Sequence, residues 1–313
     1  MRNLFLWLLP FACAGAPVVA AKPSVSGLLY PGPASGSEGW TQPREAVSCN
    51  GDVSVYNTRE PRYDLFLPDP KRASGAAVVM LPGGGLRALG VEAGSEADID
   101  AFLDRGISVL RLEYRTLQVP AQSIQRACRP RPADAPPVRF PKMEIRNGNA
   151  NPAPDNAELQ TVLKLAIADA QASFELMHRM APQWRIDPGK IGVIGESAGG
   201  GVAFGTVLAK APANRKPAFL ISIFGPSLQD VVLPEAPPPV FLVTEADHGP
   251  VTDGLLAVFS IWKNAGLKAE LHVYEVPNFS MTAKLWGPRL FDWMAERGIL
   301  RKSDVSAISK PGL

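Results

Sequence analysis

The chain has 313 residues, of which 46% are hydrophobic and 20% are charged, and its formal net charge is +2. This composition excludes a wholly disordered chain, because disorder requires few apolar residues and a high net charge. The balance of 32 basic and 30 acidic residues also argues against nucleic-acid binding, which depends on a strong basic field. We therefore expect a globular protein that has no nucleic-acid partner.

Residues 1–21 have the features of a secretory signal peptide. Arg2 supplies a positive charge, the apolar stretch 4–12 is too short to span a bilayer, and small residues precede Lys22. We therefore expect a secreted or periplasmic protein that does not associate with a membrane after cleavage. A lipid-modified Cys13 and an uncleaved anchor are the two alternatives.

Export also bears on the cysteines, because oxidising compartments allow disulfide bonds. The mature chain keeps Cys49 and Cys128. They form either a disulfide, which would stabilise the fold by roughly 4 kcal/mol on a chain-entropy estimate, or two free thiols.

The mature chain divides into three segments, the second of which carries an insertion. Residues 22–50 are rich in Gly, Ser and Pro without periodicity, which predicts an extended N-terminal arm. A single domain follows over residues 51–300, and residues 301–313 form a C-terminal tail. The domain contains a Pro-, Arg- and Asn-rich insertion at residues 117–157, which we interpret as a surface segment, with a substrate-covering lid as the alternative.

Strand and helix signals alternate within the domain. Tyr63, Leu65 and Leu67 alternate with other residues as in an edge strand, and the apolar run 76–81 predicts a strand buried on both faces. Further strands are predicted over 107–114, 190–195, 218–224, 240–244 and 269–274, and helices over 95–105, 158–180, 198–210, 252–265 and 288–297. Strands separated by helices predict parallel βαβ units in a doubly wound α/β sheet.

A nucleophile motif, GESAG at residues 195–199, lies between the predicted strand 190–195 and the predicted helix 198–210. This G-x-S-x-G pattern between a strand and a helix is typical of an exposed catalytic serine. The small neighbours allow a strained turn at Ser197, and the helix N-terminus favours developing negative charge. We expect the backbone N–H of Ala198 to donate to an oxyanion.

A second glycine-rich turn, PGGG at residues 82–85, directly follows the predicted strand 76–81. Acyl transfer requires two backbone N–H groups aimed at one oxygen, and glycine lets the backbone approach that oxygen closely. We therefore assign Gly84 and Gly85, together with Ala198, to an oxyanion hole.

With these motifs, the chain resembles the α/β-hydrolase superfamily, and within it the secreted esterases of the acetylxylan-esterase and feruloyl-esterase-like type. The matching stretches are, in the order of that family, VVMLPGGGL, GISVLRLEYR, WRIDPGKIGVIGESAGG, PVFLVTEAD and NAGLKAELHVYE. The resemblance covers about residues 55–300. It implies an α/β-hydrolase fold with an eight-stranded, mostly parallel sheet and helices on both faces, a Ser-Asp-His triad, and neither cofactor nor metal.

The resemblance also implies the roles of individual residues. Ser197 is the nucleophile, and the acid belongs in the segment after the strand 240–244. Asp247 matches the family's acid there, because its distance to the following Asn-Ala-Gly stretch fits the family pattern. Glu245 is the fallback.

The expected base is missing from this sequence. Relatives carry a histidine in the loop after the last predicted strand, whereas this chain has VPNFSM at residues 276–281. Phe279 or Asn278 falls at the position of the base, depending on the alignment. Neither side chain accepts a proton near neutral pH.

The remaining candidates for a base are three histidines and a lysine. His248 adjoins Asp247 in a segment that should face Ser197, so it is the candidate for a displaced base. His178 is expected on a helix surface, His272 within a strand, and Lys284 on the surface after the loop.

Two functions follow from these patterns. The first is a serine esterase for small acyl esters such as acetylated carbohydrate, with a weak or relocated base. The second is a catalytically impaired relative that binds a ligand or partner through the same cleft. A lipase for apolar acyl chains is disfavoured, because the sequence contains no strongly apolar lid.

Overall fold

A computed structural model of the chain describes residues 21–49, 52–91, 95–127, 142–276 and 281–306. Several sequence-based predictions fall outside these residues and stay predictions. They concern the signal peptide, the partner of Cys49 at Cys128, and the loop residues Asn278 and Phe279.

The described residues form eleven strands and seven α-helices. The strands are β1 (Val25–Leu28), β2 (Glu45–Cys49), β3 (Asp52–Tyr56), β4 (Arg62–Phe66), β5 (Ala77–Leu81), β6 (Ala88–Gly90), β7 (Ser108–Glu113), β8 (Ile191–Glu196), β9 (Leu220–Ile223), β10 (Val240–Glu245) and β11 (Ala269–Tyr274). The helices are α1 (Ser95–Asp104), α2 (Ala121–Ala127), α3 (Ala157–Trp184), α4 (Ala198–Leu208), α5 (Pro250–Asn264), α6 (Ala283–Glu296) and α7 (Lys302–Ser306).

The main sheet has eight strands in the order β1-β4-β7-β5-β8-β9-β10-β11. β4 pairs antiparallel with both β1 and β7, and the other five neighbouring pairs are parallel. This arrangement confirms the predicted sheet of eight mostly parallel strands. β2, β3 and β6 form a separate sheet of three strands.

Helices cover both faces of the main sheet. Consecutive residues of β5 face opposite cores, because successive side chains of a strand point to opposite sides. Val79 packs in the core that contains Phe204 of α4. Val78 packs in the second core, which contains Trp293 of α6. The sheet is therefore buried on both sides, as its continuous apolar strands predict.

The N-terminal arm is more structured than the sequence indicates. β1 lies within the predicted arm 22–50 and pairs antiparallel with β4, with Val25 opposite Leu65. The prediction of a strand around Leu65 was right, but its place at the sheet edge was wrong, because β1 occupies the edge. Val25 and Leu28 remain 37% and 49% exposed. Because neither face of β1 is buried, the strand has no alternation of apolar and polar residues by which its sequence could be recognised.

The final long helix begins earlier than predicted. The sequence predicts a helix over 288–297, whereas α6 begins at Ala283 and contains Pro288 in its interior. Trp286 lies in the added turn and is buried against the second core. Tertiary packing of this side chain explains why the helix extends N-terminal to the proline.

A buried ion pair joins the arm to the domain. The Arg115 guanidinium contacts the Asp169 carboxylate at 2.7 Å, and their side chains are 3% and 0% exposed. From the arm, the Tyr30 hydroxyl donates to Asp169 at 2.8 Å, and the Ser35 carbonyl accepts from Arg115 at 2.5 Å. These bonds satisfy the buried charges and hold the arm against α3.

The described C-terminal part of the insertion 117–157 packs beside the end of β9. The Asn149 amide donates to Asp230 at 2.9 Å, and the Ala150 N–H donates to the Ser227 carbonyl at 2.9 Å. Because β9 ends at the edge where parallel strands carry functional loops, this part of the insertion borders that edge.

Candidate active site

The turn between β8 and α4 holds Ser197 in a strained conformation. Its backbone φ and ψ angles are 50° and −122°, outside the regions that residues other than glycine normally adopt. A Cβ on Gly195 would lie 2.4 Å from the Gly199 carbonyl oxygen, and one on Gly199 would lie 2.1 Å from the Leu81 oxygen. Both glycines of the motif are therefore required by close backbone approach, and the serine stands at the N-terminus of α4.

Hydrogen bonds anchor the turn to the neighbouring strand. The Ser197 N–H donates to the Ile223 carbonyl oxygen at the end of β9, with a distance of 3.0 Å. A Cβ on Gly200 would lie 2.5 Å from the Cα of Gly225, so α4 meets the loop after β9 backbone to backbone. Among the hydrogen bonds of the described chain, none involves the Ser197 hydroxyl.

The PGGG turn lies against the serine. A Cβ on Gly83 would lie 3.0 Å from the Cβ of Ser197. Gly84 and Gly85 have φ values of 137° and 65°, which only glycine adopts readily. Within the described segments, no group accepts a hydrogen bond from the N–H of Gly84, Gly85 or Ala198, so these donors are available to a ligand.

Tyr114 fixes the start of this glycine turn and was missed by the sequence analysis. Its hydroxyl donates to the Pro82 carbonyl oxygen at 2.5 Å, and its side chain is fully buried. Burial raises the pKa of the Tyr114 hydroxyl, and the nearby charge of Glu196 raises it further. The Tyr114 hydroxyl thus stays protonated at neutral pH and can donate its hydrogen bond there. A tyrosine at the end of a buried strand was the available signal, since a buried tyrosine hydroxyl usually finds a partner.

The two candidate acids differ in environment. Glu245, the last residue of β10, is 4% exposed, and its carboxylate accepts a hydrogen bond from the Met281 N–H at 3.2 Å. Asp247 lies two residues further and is exposed. The structure therefore places Glu245 beside Met281, and Asp247 at the surface.

His248 packs against Phe224, which adjoins the residue that anchors the serine turn. Its ring lies 5.9 Å from the ring of Phe224, and Phe224 directly follows Ile223, whose carbonyl oxygen holds the Ser197 N–H. The side chain is partly buried, and this burial lowers the pKa of His248. Its imidazole is therefore mainly neutral at pH 7, the protonation state that a general base requires.

The other histidines and Lys284 lie elsewhere. His272 is in β11, as predicted, and its ring nitrogen contacts the Glu270 carboxylate at 2.8 Å. His178 lies within α3 and is partly buried rather than on the surface, and this burial lowers its pKa. Lys284 is exposed on α6, as expected. Three or more metal-ligating side chains do not cluster anywhere in the described segments.

Sequence searches matched no protein-family model and no curated protein. Among solved structures, an acetyl ester-xyloside bifunctional hydrolase from Caldicellulosiruptor lactoaceticus matches with a TM-score of 0.57 and 17% identity, over 90% of this chain and 98% of that chain. A butyrate-bound esterase from Thermogutta terrifontis matches with a TM-score of 0.53 and 17% identity, over 78% of this chain and 91% of that chain. A carboxylesterase from Lactobacillus plantarum matches with a TM-score of 0.53 and 14% identity, over 83% of this chain and 99% of that chain.

The chain has the α/β-hydrolase fold. Within this α/β-hydrolase sheet, the turn after β8 carries Ser197. Glu245 ends β10, and the segment that follows it carries Asp247 and His248. The segment after β11 includes residues 277–280, which lie outside the described chain. No helix within the described ranges is both long and apolar enough to cross a membrane.

Proposed function

We propose that the protein is a serine carboxylester hydrolase that acts on small acyl esters such as acetylated carbohydrate. One observation carries the proposal: the strained Ser197 stands at a helix N-terminus, against a glycine turn in which the N–H groups of Gly84 and Gly85 have no protein acceptor in the described chain. Strain of this kind persists only where the surroundings impose it, and it is concentrated at functional sites. The solved neighbours that are named as esterases support the same reaction class.

The proposed reaction forms and then hydrolyses an acyl-enzyme. The Ser197 Oγ attacks the acyl carbon while its proton passes to His248, and the negative oxygen is held by the N–H groups of Ala198, Gly84 and Gly85. Collapse breaks the ester C–O bond, and the proton returns to the leaving alcohol. Water then repeats both steps on the acyl group, which releases the acid and restores the serine.

The relocated base predicts a slow enzyme. Loss of one triad member typically lowers turnover by about 10⁴- to 10⁶-fold, whereas an oxyanion hole alone retains about 10³- to 10⁴-fold over water. We infer that turnover of unactivated esters such as acetylated carbohydrate is slow, and that activated esters reveal the activity most readily. Either Glu245 or Asp247 supplies the negative charge that supports the base, and the burial of Glu245 favours it for this role.

The substrate class is part of the same proposal. The neighbour from Caldicellulosiruptor lactoaceticus is named as an acetyl ester-xyloside hydrolase, which supports acetylated carbohydrate as a substrate. The alternative, a catalytically impaired protein that binds a ligand in this cleft, is favoured by the absence of histidine from residues 276–281.

The decisive experiment compares the wild type with Ser197→Ala on an activated acetyl ester. We expect slow hydrolysis and a mass increase of one acetyl group on the wild type, and neither on Ser197→Ala. If His248 is the base, His248→Ala removes as much activity as Ser197→Ala. If the base is lost outright, His248→Ala changes little and Phe279→His raises turnover. Wild-type activity that survives Ser197→Ala would refute the proposal.

We also propose export through the segment 1–21. The short apolar stretch and the small residues before Lys22 support this reading. Mass spectrometry of the exported protein should give an N-terminus near Ala21 or Lys22. Its mass before and after alkylation would show whether Cys49 and Cys128 carry free thiols.

A further inference from the structure

The main sheet ends on either side in a strand with a single neighbour, β1 at one edge and β11 at the other. An edge strand presents a row of backbone N–H and C=O groups that can pair with another chain, and short strands reduce this tendency. β1 has four residues and includes Gly27, which weakens a strand. β11 has six residues, none of them glycine or proline, and no strand of the described chain pairs with its outer side. β11 is therefore the edge that is better suited to pairing with another chain.

The hydrogen bonds to β10 determine which backbone groups of β11 point away from the sheet. The carbonyl oxygens of Lys268 and Tyr274 accept hydrogen bonds from the first residue of β10 and from the residue after β10, at 3.0 and 2.8 Å. Backbone groups of successive residues in a strand point to alternate sides, so the even-numbered residues of β11 bond to β10. The N–H and C=O groups of Ala269, Leu271 and Val273 therefore point outward.

One face of β11 presents apolar side chains. Ala269 and Leu271 pack against the core that contains Phe204. Val273 points to the same face, because it lies two residues after Leu271, yet it is 45% exposed. A strand placed beside β11 would supply the apolar contact that this β-branched side chain lacks.

The other face of β11 carries charged and polar side chains. The Glu270 carboxylate contacts a ring nitrogen of His272 at 2.8 Å and accepts a hydrogen bond from the Arg289 guanidinium of α6 at 2.6 Å. All three side chains are partly exposed. They are therefore accessible to the side chains of a strand that lies beside β11.

We infer that β11 pairs antiparallel with β11 of a second copy of this chain, about a two-fold axis at Leu271, and that the protein forms a homodimer with one continuous sheet. In this register Leu271 lies opposite the partner's Leu271, and Val273 lies opposite the partner's Ala269. These are the residues whose backbone groups point outward, so each pair exchanges two N–H···O bonds. The exposed Val273 becomes covered at both ends of the interface.

The polar face favours this register over its neighbours. With the axis at Leu271, each Glu270 lies opposite the partner's His272, whose ring can donate to the carboxylate. An axis at Glu270 would place two carboxylates opposite each other, and like charges in that position destabilise a strand pair. An axis at His272 would lose the pairs of glutamate with histidine. An axis between two residues would set outward backbone groups against inward ones, which leaves them without hydrogen bonds.

Sedimentation velocity over a series of protein concentrations tests the association. We expect the wild type to form a reversible dimer. Val273→Lys should raise the dissociation constant of the dimer at least about tenfold, because it replaces an apolar contact by a charge at both ends of the interface. Val25→Lys is the matched control, since Val25 is an exposed valine on β1 at the opposite edge of the sheet, and it should leave the dissociation constant unchanged. Thermal melting is recorded for both variants.

Cysteine cross-linking tests the register and does not require the Val273→Lys protein. Residues of a hydrogen-bonded antiparallel pair have Cα atoms about 5.5 Å apart, within the range of a disulfide. Leu271→Cys should therefore form a covalent dimer on mild oxidation. Val273→Cys is the control, because each Val273 would lie about 13 Å from the partner's Val273 along the strand, too far for a disulfide. The wild type, oxidised in parallel, accounts for Cys49 and Cys128.

Several results would overturn the proposal. A wild type that is monomeric at every concentration does so, and so does a dimer whose dissociation constant Val273→Lys leaves unchanged. Dissociation by Val25→Lys instead would place the interface at β1. A covalent dimer of Val273→Cys without one of Leu271→Cys would refute the axis at Leu271. None of these measurements depends on ester hydrolysis, so failure of the proposed activity and failure of the proposed dimer remain separate.

Discussion

The hydroxyl of Tyr114 lies 2.5 Å from the carbonyl oxygen of Pro82 and donates a hydrogen bond to it. This bond ties the end of β7 to the first residue of the glycine turn that faces Ser197. Because oxyanion donors act through their fixed position, the rigidity of this turn bears directly on the proposed chemistry.

Tyr114→Phe should lower esterase activity by roughly tenfold, since the Pro82 carbonyl loses its partner and the donors of the turn lose their fixed position. The free energy of unfolding should fall by about 1–2 kcal/mol. Tyr30→Phe is the matched control, because it also removes a tyrosine hydrogen bond, to Asp169. It should lower stability without a comparable loss of kcat. Equal effects on kcat in both variants would contradict the positioning role.

Gly84→Ala should destabilise the protein and abolish ester hydrolysis. A Cβ at this position would lie 2.1 Å from the Ala88 carbonyl oxygen, and the φ of 137° is unfavourable for alanine. We expect a loss of at least about 2 kcal/mol in denaturant unfolding. Gly90→Ala is the control, since no atom lies within 4 Å of its Cβ position, and it should change neither property.

Asp169→Asn should lower the free energy of unfolding by about 3–5 kcal/mol, because the buried Arg115 guanidinium loses its counter-charge. Glu144→Gln provides the comparison. It breaks the ion pair between Glu144 and Arg146, whose side chains are 72% and 78% exposed, respectively. Because so exposed a pair contributes little, the melting temperature should not change. Similar melting curves for both variants would show that the buried pair does not anchor the arm.

The proposed base predicts a specific pH profile. Protonation of His248 removes the base, so activity should fall as the pH decreases. Because burial lowers the pKa of His248, the midpoint of this fall should lie below about 6.5, the value of an exposed histidine. Activity is measured against pH for the wild type and for His248→Ala, which should lack the residual activity.

His178→Gln is the control for this profile, because burial also lowers the pKa of His178, and His178 has no role in the proposed reaction. Its pH profile should match that of the wild type. A wild-type profile without any fall at low pH would show that His248 does not carry the proton.

The sequence by itself determined the central sheet and the two glycine turns. The run 76–81 and the motif around Ser197 act through short-range chemistry, because a continuous apolar strand must be buried and a tight turn between strand and helix needs small residues. The observed conformation of Ser197 and the close contacts of Gly83 agree with this reading.

Only the tertiary structure decided which distant groups meet. β1 covers β4 through backbone hydrogen bonds, which leave no hydrophobic pattern in the sequence. The burial of Glu245 and the exposure of Asp247 two residues later depend on what packs around the end of β10. The partner of Tyr114 is likewise 32 positions away along the chain. Such contacts depend on the packing of segments far apart in sequence, and so local residue patterns do not specify them.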